Sequence, residues 1–241
     1  MKMFLLVVVF LAPSSALAAQ GLDLSALLPG GGASASGRII QLISALTVLS
    51  IAPGLLVMVT SFTRFAIALS FVRTGLGLQS TPANLVLISL SLFLTFYVMA
   101  PAAEKAWLEG VQPLVENKIG EAEAFERVVD PFRQFMVAHV REKEIRLFED
   151  LRRPAAPPGQ TVRLDVLVPA FMISELRRGF EIGFLIVVPF LAIDIIVAIL
   201  TMSMGMMMLP PTTISLPAKI LFFVLIDGWN LLVGSLVRSF G

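Results

Sequence analysis

FLIVVPFLAIDIIVAILTMSMGMMML, residues 184–209, decides the architecture of this chain. The run from Phe184 to Leu209 is apolar enough to lie in a bilayer and exceeds the roughly 20 residues that a span needs. Asp194 interrupts it. A charge at the centre of a membrane helix costs about 3 kcal/mol on insertion scales, so such a residue faces a bundle interior, a partner or water. The run ends in Met202, Met204, Met206, Met207 and Met208, five of the chain's eleven methionines. Methionine is unbranched, flexible and polarizable, and fills changing shapes better than Leu or Ile. Gly205 and Pro210-Pro211 disfavour an uninterrupted helix there. Taken alone, a methionine run reads as core packing. The same chemistry would also suit a surface that closes and recloses around different contents.

Working outward, Ile220–Val237 is a further apolar run, with Lys219 at its entrance and Asp227 inside. Lys219 and Asp227 are two turns apart on a broadly shared face. Lys219 is expected to pair with Asp194 or Asp227, within or between subunits, or to snorkel to the interface. Upstream, Ile39–Val59 is apolar and contains Pro53-Gly54. Thr60–Leu78 is apolar but holds Arg64 and Arg73, which at about 100° per residue point to opposite sides of one helix. Such a helix needs protein neighbours or an aqueous edge. Leu85–Ala100 is a shorter apolar run ending at Pro101.

Between these runs the composition changes. Residues 102–183 hold 14 of the 17 acidic and 12 of the 18 basic residues. This region is expected to be polar, mainly helical and outside lipid. Asp130-Pro131 predicts a helix start. Phe132, Phe135, Met136, Val140, Leu147 and Leu151 follow at helical spacing as one amphipathic helix. Pro154–Thr161 reads as a linker, Val162–Val168 alternates like a short extended segment, and Pro169 opens the next helix. Gly179-Phe-Glu-Ile-Gly183 is a small-xxx-small pattern that lets helices approach closely.

At the other end, Lys2, the apolar core Met3–Leu11 and the site Ala16-Leu17-Ala18 form a secretory signal. Its core is too short for a span, which favours cleavage over a retained anchor. The expected division is a cleaved signal at 1–18, a flexible leader at 19–37 and an N-terminal apolar helical hairpin region at 38–101. The polar region at 102–183 follows, then a C-terminal apolar hairpin at 184–241 with a Met-rich loop at 202–211. For four ordinary spans starting outside, the positive-inside rule puts the connection bearing Arg64 and Arg73 in the cytoplasm and region 102–183 in the periplasm.

Composition narrows the function. With 57% hydrophobic and 15% charged residues the chain is neither disordered nor a simple soluble domain. A net charge of +1 gives no bulk field for nucleic acid. There is no cysteine, and the lone His139 has no second histidine with which to bind metal. No P-loop, His-Glu-x-x-His or Gly-x-Ser-x-Gly motif occurs, and Gly75-Leu-Gly77 lacks the third glycine of a dinucleotide site. Neither Asp194 nor Asp227 has the flanking glycine pattern of an intramembrane aspartyl protease. The expectation is no enzyme, no metal and no cofactor. A secondary transporter for a small solute would need paired repeats around a midplane site, and the halves show none. A purely structural scaffold is the other alternative.

Two long segments then become specific. PAFMISELRRGFEIGF, residues 169–184, and PAKILFFVLIDGW, residues 217–229, resemble the signature segments of the FliP family of flagellar biosynthetic proteins, related to virulence injectisome proteins. Residues 202–216 are similar to that family's methionine-rich loop, and Thr60–Phe65 and Leu92–Met99 also fit. Ala218 and Ala83 are small departures. The resemblance covers nearly the whole chain after the leader. It implies an all-α, membrane-associated fold of tilted, broken helical hairpins with a charged helical insertion, forming a ring-like or helical oligomer. It implies a core channel subunit of the type III export gate in the bacterial inner membrane, at the flagellar basal body, with a substantial periplasmic portion. About five copies would assemble with FliQ and FliR, beside FlhA and FlhB, and pass unfolded flagellar proteins. Met202, Met204, Met206, Met207 and Met208 would form a pore gasket. Arg64, Arg73, Glu175, Gly179, Gly183, Asp194, Lys219 and Asp227 would serve subunit packing or ion pairing.

Overall fold

The computed structural model describes residues 35–152, 162–205 and 210–241, and all its regular elements among them are helical. The expected signal at 1–18, most of the leader and the whole Pro154–Thr161 linker lie outside them. The chain divides into two compact units, residues 1–50 and 51–241. In the first, Thr47 and Ser50 donate their hydroxyls to the carbonyls of Ile43 and Leu46, one turn back at 2.8 Å. Serine and threonine lose their polarity to lipid in this way.

The helices are α1 (Ala35–Val59), α2 (Phe62–Gly75), α3 (Asn84–Ala106), a π-helical turn (Trp107–Val111), α4 (Gln112–Val115), α5 (Glu121–His139), α6 (Glu142–Leu151), α7 (Leu164–Ser203), α8 (Pro211–Leu225) and α9 (Gly228–Arg238). Helix α1 begins at Ala35, inside the stretch expected to be a leader. The unbroken path 84–115 and α7 are each long and apolar enough to cross a membrane. Two further candidates are broken: residues 53–59 bend by 83° into α2, and α8 bends by 64° into α9. The expected broken hairpins are therefore present. Asp227 makes the second bend with φ +51, a left-handed conformation that Asp tolerates. Gly228 follows because any Cβ there would meet the Phe223 ring.

Several local expectations fail. Pro131 does not start a helix: α5 starts after Gly120 and runs through it. Pro169 likewise lies within α7, and Pro101 within α3. A proline in a helix costs about 3 kcal/mol, but the buried Ala124, Pro131 and Met136 anchor α5 on both sides of the break. The single amphipathic helix is two, α5 and α6, separated by extended backbone at Val140 and Arg141. Val162–Val168 is not extended: α7 starts at Leu164. Leu164, Leu167 and Phe171 share a helical face and pack with Met136 and Phe135, so tertiary burial overrides a short alternation.

One core surrounds α2. Phe65, Ala68, Leu69 and Val72 pack with Leu87 and Leu94 of α3, Phe190 of α7, Phe223 of α8 and Leu232 and Leu236 of α9. The α2–α7 crossing is close because glycines face bulk: a Cβ on Gly179 would lie 3.1 Å from Ile67, and one on Gly183 would lie 2.5 Å from Phe71. Helix α7 has 40 residues, about 60 Å at about 1.5 Å per residue. That is twice a hydrocarbon core of roughly 30 Å. Its first half carries Arg177, Arg178 and Glu181. Its second half exposes Phe184, Leu185, Ile195, Ile196 and Ile199, so the helix is half polar and half lipid-like along its length.

Candidate functional site

Three clusters lie along α7. The first is a closed charge node. Arg64 of α2 donates Nε to Glu175 Oε2 at 2.8 Å and Nη2 to Oε1 at 2.5 Å, a bidentate pair with both side chains fully buried. Its Nη1 donates to Ser239 O at 2.9 Å and to Ser239 Oγ at 2.8 Å. Phe240 lies under the guanidinium, 3.5 Å from its carbon to the ring centroid, a cation–π contact. Phe65, Phe135 and His139 surround the same ring at 5.3–5.9 Å. His139 Nδ1 is 2.8 Å from Phe135 O and Nε2 is 3.2 Å from Phe240 O. Carbonyls only accept, so one of these is a hydrogen bond in the neutral ring and both are in the imidazolium.

Beside this node the polar region is fastened to α7. Arg141 donates to Glu181 at 2.7 Å, Arg177 donates to Glu181 at 3.0 Å, and the Arg141 amide donates to Ser174 Oγ at 3.1 Å. The bend between α5 and α6 is thereby held against α7.

The second node sits near the other end of α7. Lys219 of α8, buried, donates Nζ to Asp194 Oδ2 at 2.6 Å and to Gly75 O, at the end of α2, at 3.1 Å. The expected Lys219–Asp194 pair is the one observed, within one chain, and burial excludes snorkelling. Asp227 is not its partner: it caps the α8–α9 bend and accepts from Asn230 at 3.1 Å. Asp194 Oδ1 is buried without a donor among the described residues.

The third cluster is the methionine end of α7. Met202 and Met204 are 67% and 72% exposed, and Gly205 at φ +72 turns the chain out of the helix. Met206, Met207 and Met208 lie outside the described residues.

The structure thus joins Arg64 to Glu175 and Lys219 to Asp194, and puts Gly179 and Gly183 at the α2–α7 crossing. It leaves Arg73 apart, donating to the Asn84 side-chain carbonyl. Ser239 and Phe240 were missed by sequence reasoning. They follow the last helix and carry no periodic signal. Among the described residues no group of three or more acidic, Cys or His side chains could hold a metal.

Residues 45–236 match the FliP family. The chain is 62% identical over 213 residues to the flagellar biosynthetic protein FliP of Agrobacterium fabrum (strain C58), covering 86% of each. It is 56% identical over 240 residues to that of Rhizobium meliloti (strain 1021), covering 97% of each. It is 52% identical over 202 residues to that of Bacillus subtilis (strain 168), covering 83% of this chain and 91% of the relative.

Proposed function

This chain belongs to the FliP family, and from that premise we propose that it is a channel subunit of the flagellar protein-export gate. Copies of the chain, about five as the family resemblance implies, surround a central path with FliQ and FliR, beside FlhA and FlhB. Unfolded flagellar proteins pass through it. The assembly sits in the inner membrane with region 102–183 on the periplasmic side, after removal of residues 1–18.

The observation that carries this reading is the end of α7. A helix too long for hydrocarbon, pinned to α2 at Arg64–Glu175 and to α8 at Lys219–Asp194, presents exposed Met202 and Met204 at its tip. Flexible thioethers repeated around an axis make a soft apolar ring. Such a ring blocks ions by dewetting when closed and repacks around whatever side chain passes. The remaining members of that gasket are Met206, Met207 and Met208. Gly179 and Gly183, with Arg64, Glu175, Asp194 and Lys219, hold the frame.

Replacing Met206, Met207 and Met208 together by Ala tests it. The assembled variant is expected to leak ions across a membrane while secretion persists. Unchanged conductance would sink the gasket.

A further inference from the structure

A cavity of about 250 Å³ lies between α2, α3, α8 and α9, lined by none of the residues of the two charge nodes and by no methionine. Its walls are chiefly apolar: Leu69, Val72, Leu76, Leu87, Phe223 and Trp229. Away from Arg73 and Thr81 at its edge, water in such a cavity finds few hydrogen-bond partners. Left empty, its lining forfeits dispersion contacts. The volume falls below that of drug-sized sites and suits a slender hydrocarbon.

One charged side chain lines the cavity, Arg73. Its partner is the neutral side-chain carbonyl of Asn84, and no carboxylate lies within ion-pair distance of it among the described residues. Lys219, the nearest basic residue toward α8, is committed to Asp194. Arg73 lies half-buried in the last turn of α2, where the helix dipole favours a cation, and it keeps donors free for an anion beside the apolar wall. Trp229 stands edge-on to Phe223 at 5.4 Å and is 43% exposed. A half-exposed tryptophan of this kind marks the level of lipid head groups.

We propose that this cavity binds an anionic phospholipid, one acyl chain against Leu76, Leu87 and Phe223 and the phosphate on Arg73. Charge complementarity sets the choice. A neutral lipid would fill the apolar volume but carry no net charge to attract Arg73. Basic pockets between membrane helices take anionic head groups for this reason. The proposal requires only that the chain sit in a membrane, so it stands or falls separately from the export reading.

Trp229 provides the probe. The chain has two tryptophans, and Trp107→Phe leaves Trp229 alone. The full-length protein carrying that change is placed in nanodiscs of phosphatidylcholine containing, as the minor lipid, phosphatidylglycerol or phosphatidylcholine with brominated chains. Brominated phosphatidylglycerol is expected to quench Trp229 about fivefold more effectively per mole, the factor that one basic contact supplies. Arg73→Gln is expected to bring the two lipids to parity without altering quenching by phosphatidylcholine. Val224→Phe, at the exposed rim of the cavity, is expected to lower quenching by both. Equal quenching in the parent protein overturns the proposal, as does selectivity that survives Arg73→Gln or Val224→Phe. A Trp229 that neither lipid quenches also overturns it, and assigns the cavity to a second copy or a companion subunit.

Discussion

The two ion pairs on α7 differ in how completely they are satisfied. Glu175 and Asp194 are about 28 Å apart along the helix at about 1.5 Å per residue. At the first, both carboxylate oxygens and three guanidinium nitrogens are bonded, an aromatic ring covers the cation, and nothing is exposed. At the second, the lysine is buried, the aspartate is one-third exposed, and Oδ1 has no donor among the described residues. The first is a closed lock joining α2, α7 and the residues after α9. The second is a joint with bonding capacity to spare, next to the helix end that carries the methionines. Rigidity is concentrated toward the polar region and adjustability toward the methionine loop.

The sharpest way to break this contrast is to remove Glu175. A buried ion pair says little about net stability, but stripping one partner leaves an uncompensated buried charge and costs about 3–5 kcal/mol. Glu175→Ala is therefore expected to show the largest drop in denaturant stability of the detergent-solubilised protein. Arg64→Lys is expected to recover little in place of arginine, because an ammonium cannot make the two-pronged bond or stack on Phe240. A Glu175→Ala loss no greater than that at Lys219 would erase the distinction.

Lys219→Met comes next, at about 1.5–3 kcal/mol, the range for a hydrogen bond to a charged group. The partly exposed Asp194 can recruit water, which limits the loss. Adding Asp194→Asn to Lys219→Met is expected to restore part of it, since the stranded carboxylate is what costs. A double-mutant cycle showing no coupling would mean that the joint is not one. Gly183→Ala probes the crossing between the two nodes. Its Cβ would sit 2.5 Å from Phe71 Cγ, and such overpacking costs about 1–3 kcal/mol, read as a lowered unfolding midpoint.

The two nodes were not equally legible in the sequence. Lys219–Asp194 could be anticipated, since both charges stand out against apolar runs and each must find a partner. Arg64 was visible as a problem, an arginine among apolar residues; the family resemblance put Glu175 among the ion-pair candidates, but nothing in the sequence joined the two. Glu175 lies 111 residues away in a charged region, where no carboxylate looks different from its neighbours. Ser239 and Phe240 were hidden for the same reason: long-range contacts leave no periodic trace. The helical class and the close glycine crossing were readable because each rests on local spacing, whereas the broken hairpins came with the family resemblance. The prolines misled. Pro131 and Pro169 read locally as helix starts, and Met136, Leu167 and Phe171 bury enough apolar surface to carry the helices through them.

The smallest effect tests whether burial, and not the mere presence of a pair, separates the two nodes. Arg146 and Glu142 on α6 form an ion pair of ordinary geometry, 3.0 Å and one turn apart, with side chains 74% and 84% exposed. In water the Coulomb attraction is screened, and ordering two long side chains offsets much of what remains. Glu142→Ala is expected to change stability by no more than about 0.5 kcal/mol, and by less as salt is raised. The Glu175→Ala loss is expected to persist in the same salt, because no ions reach that carboxylate. A salt series on the two variants therefore separates dielectric environment from bond geometry. If both losses shrank together, the Arg64 node would be open to solvent, and α7 would have two adjustable joints instead of one lock and one joint.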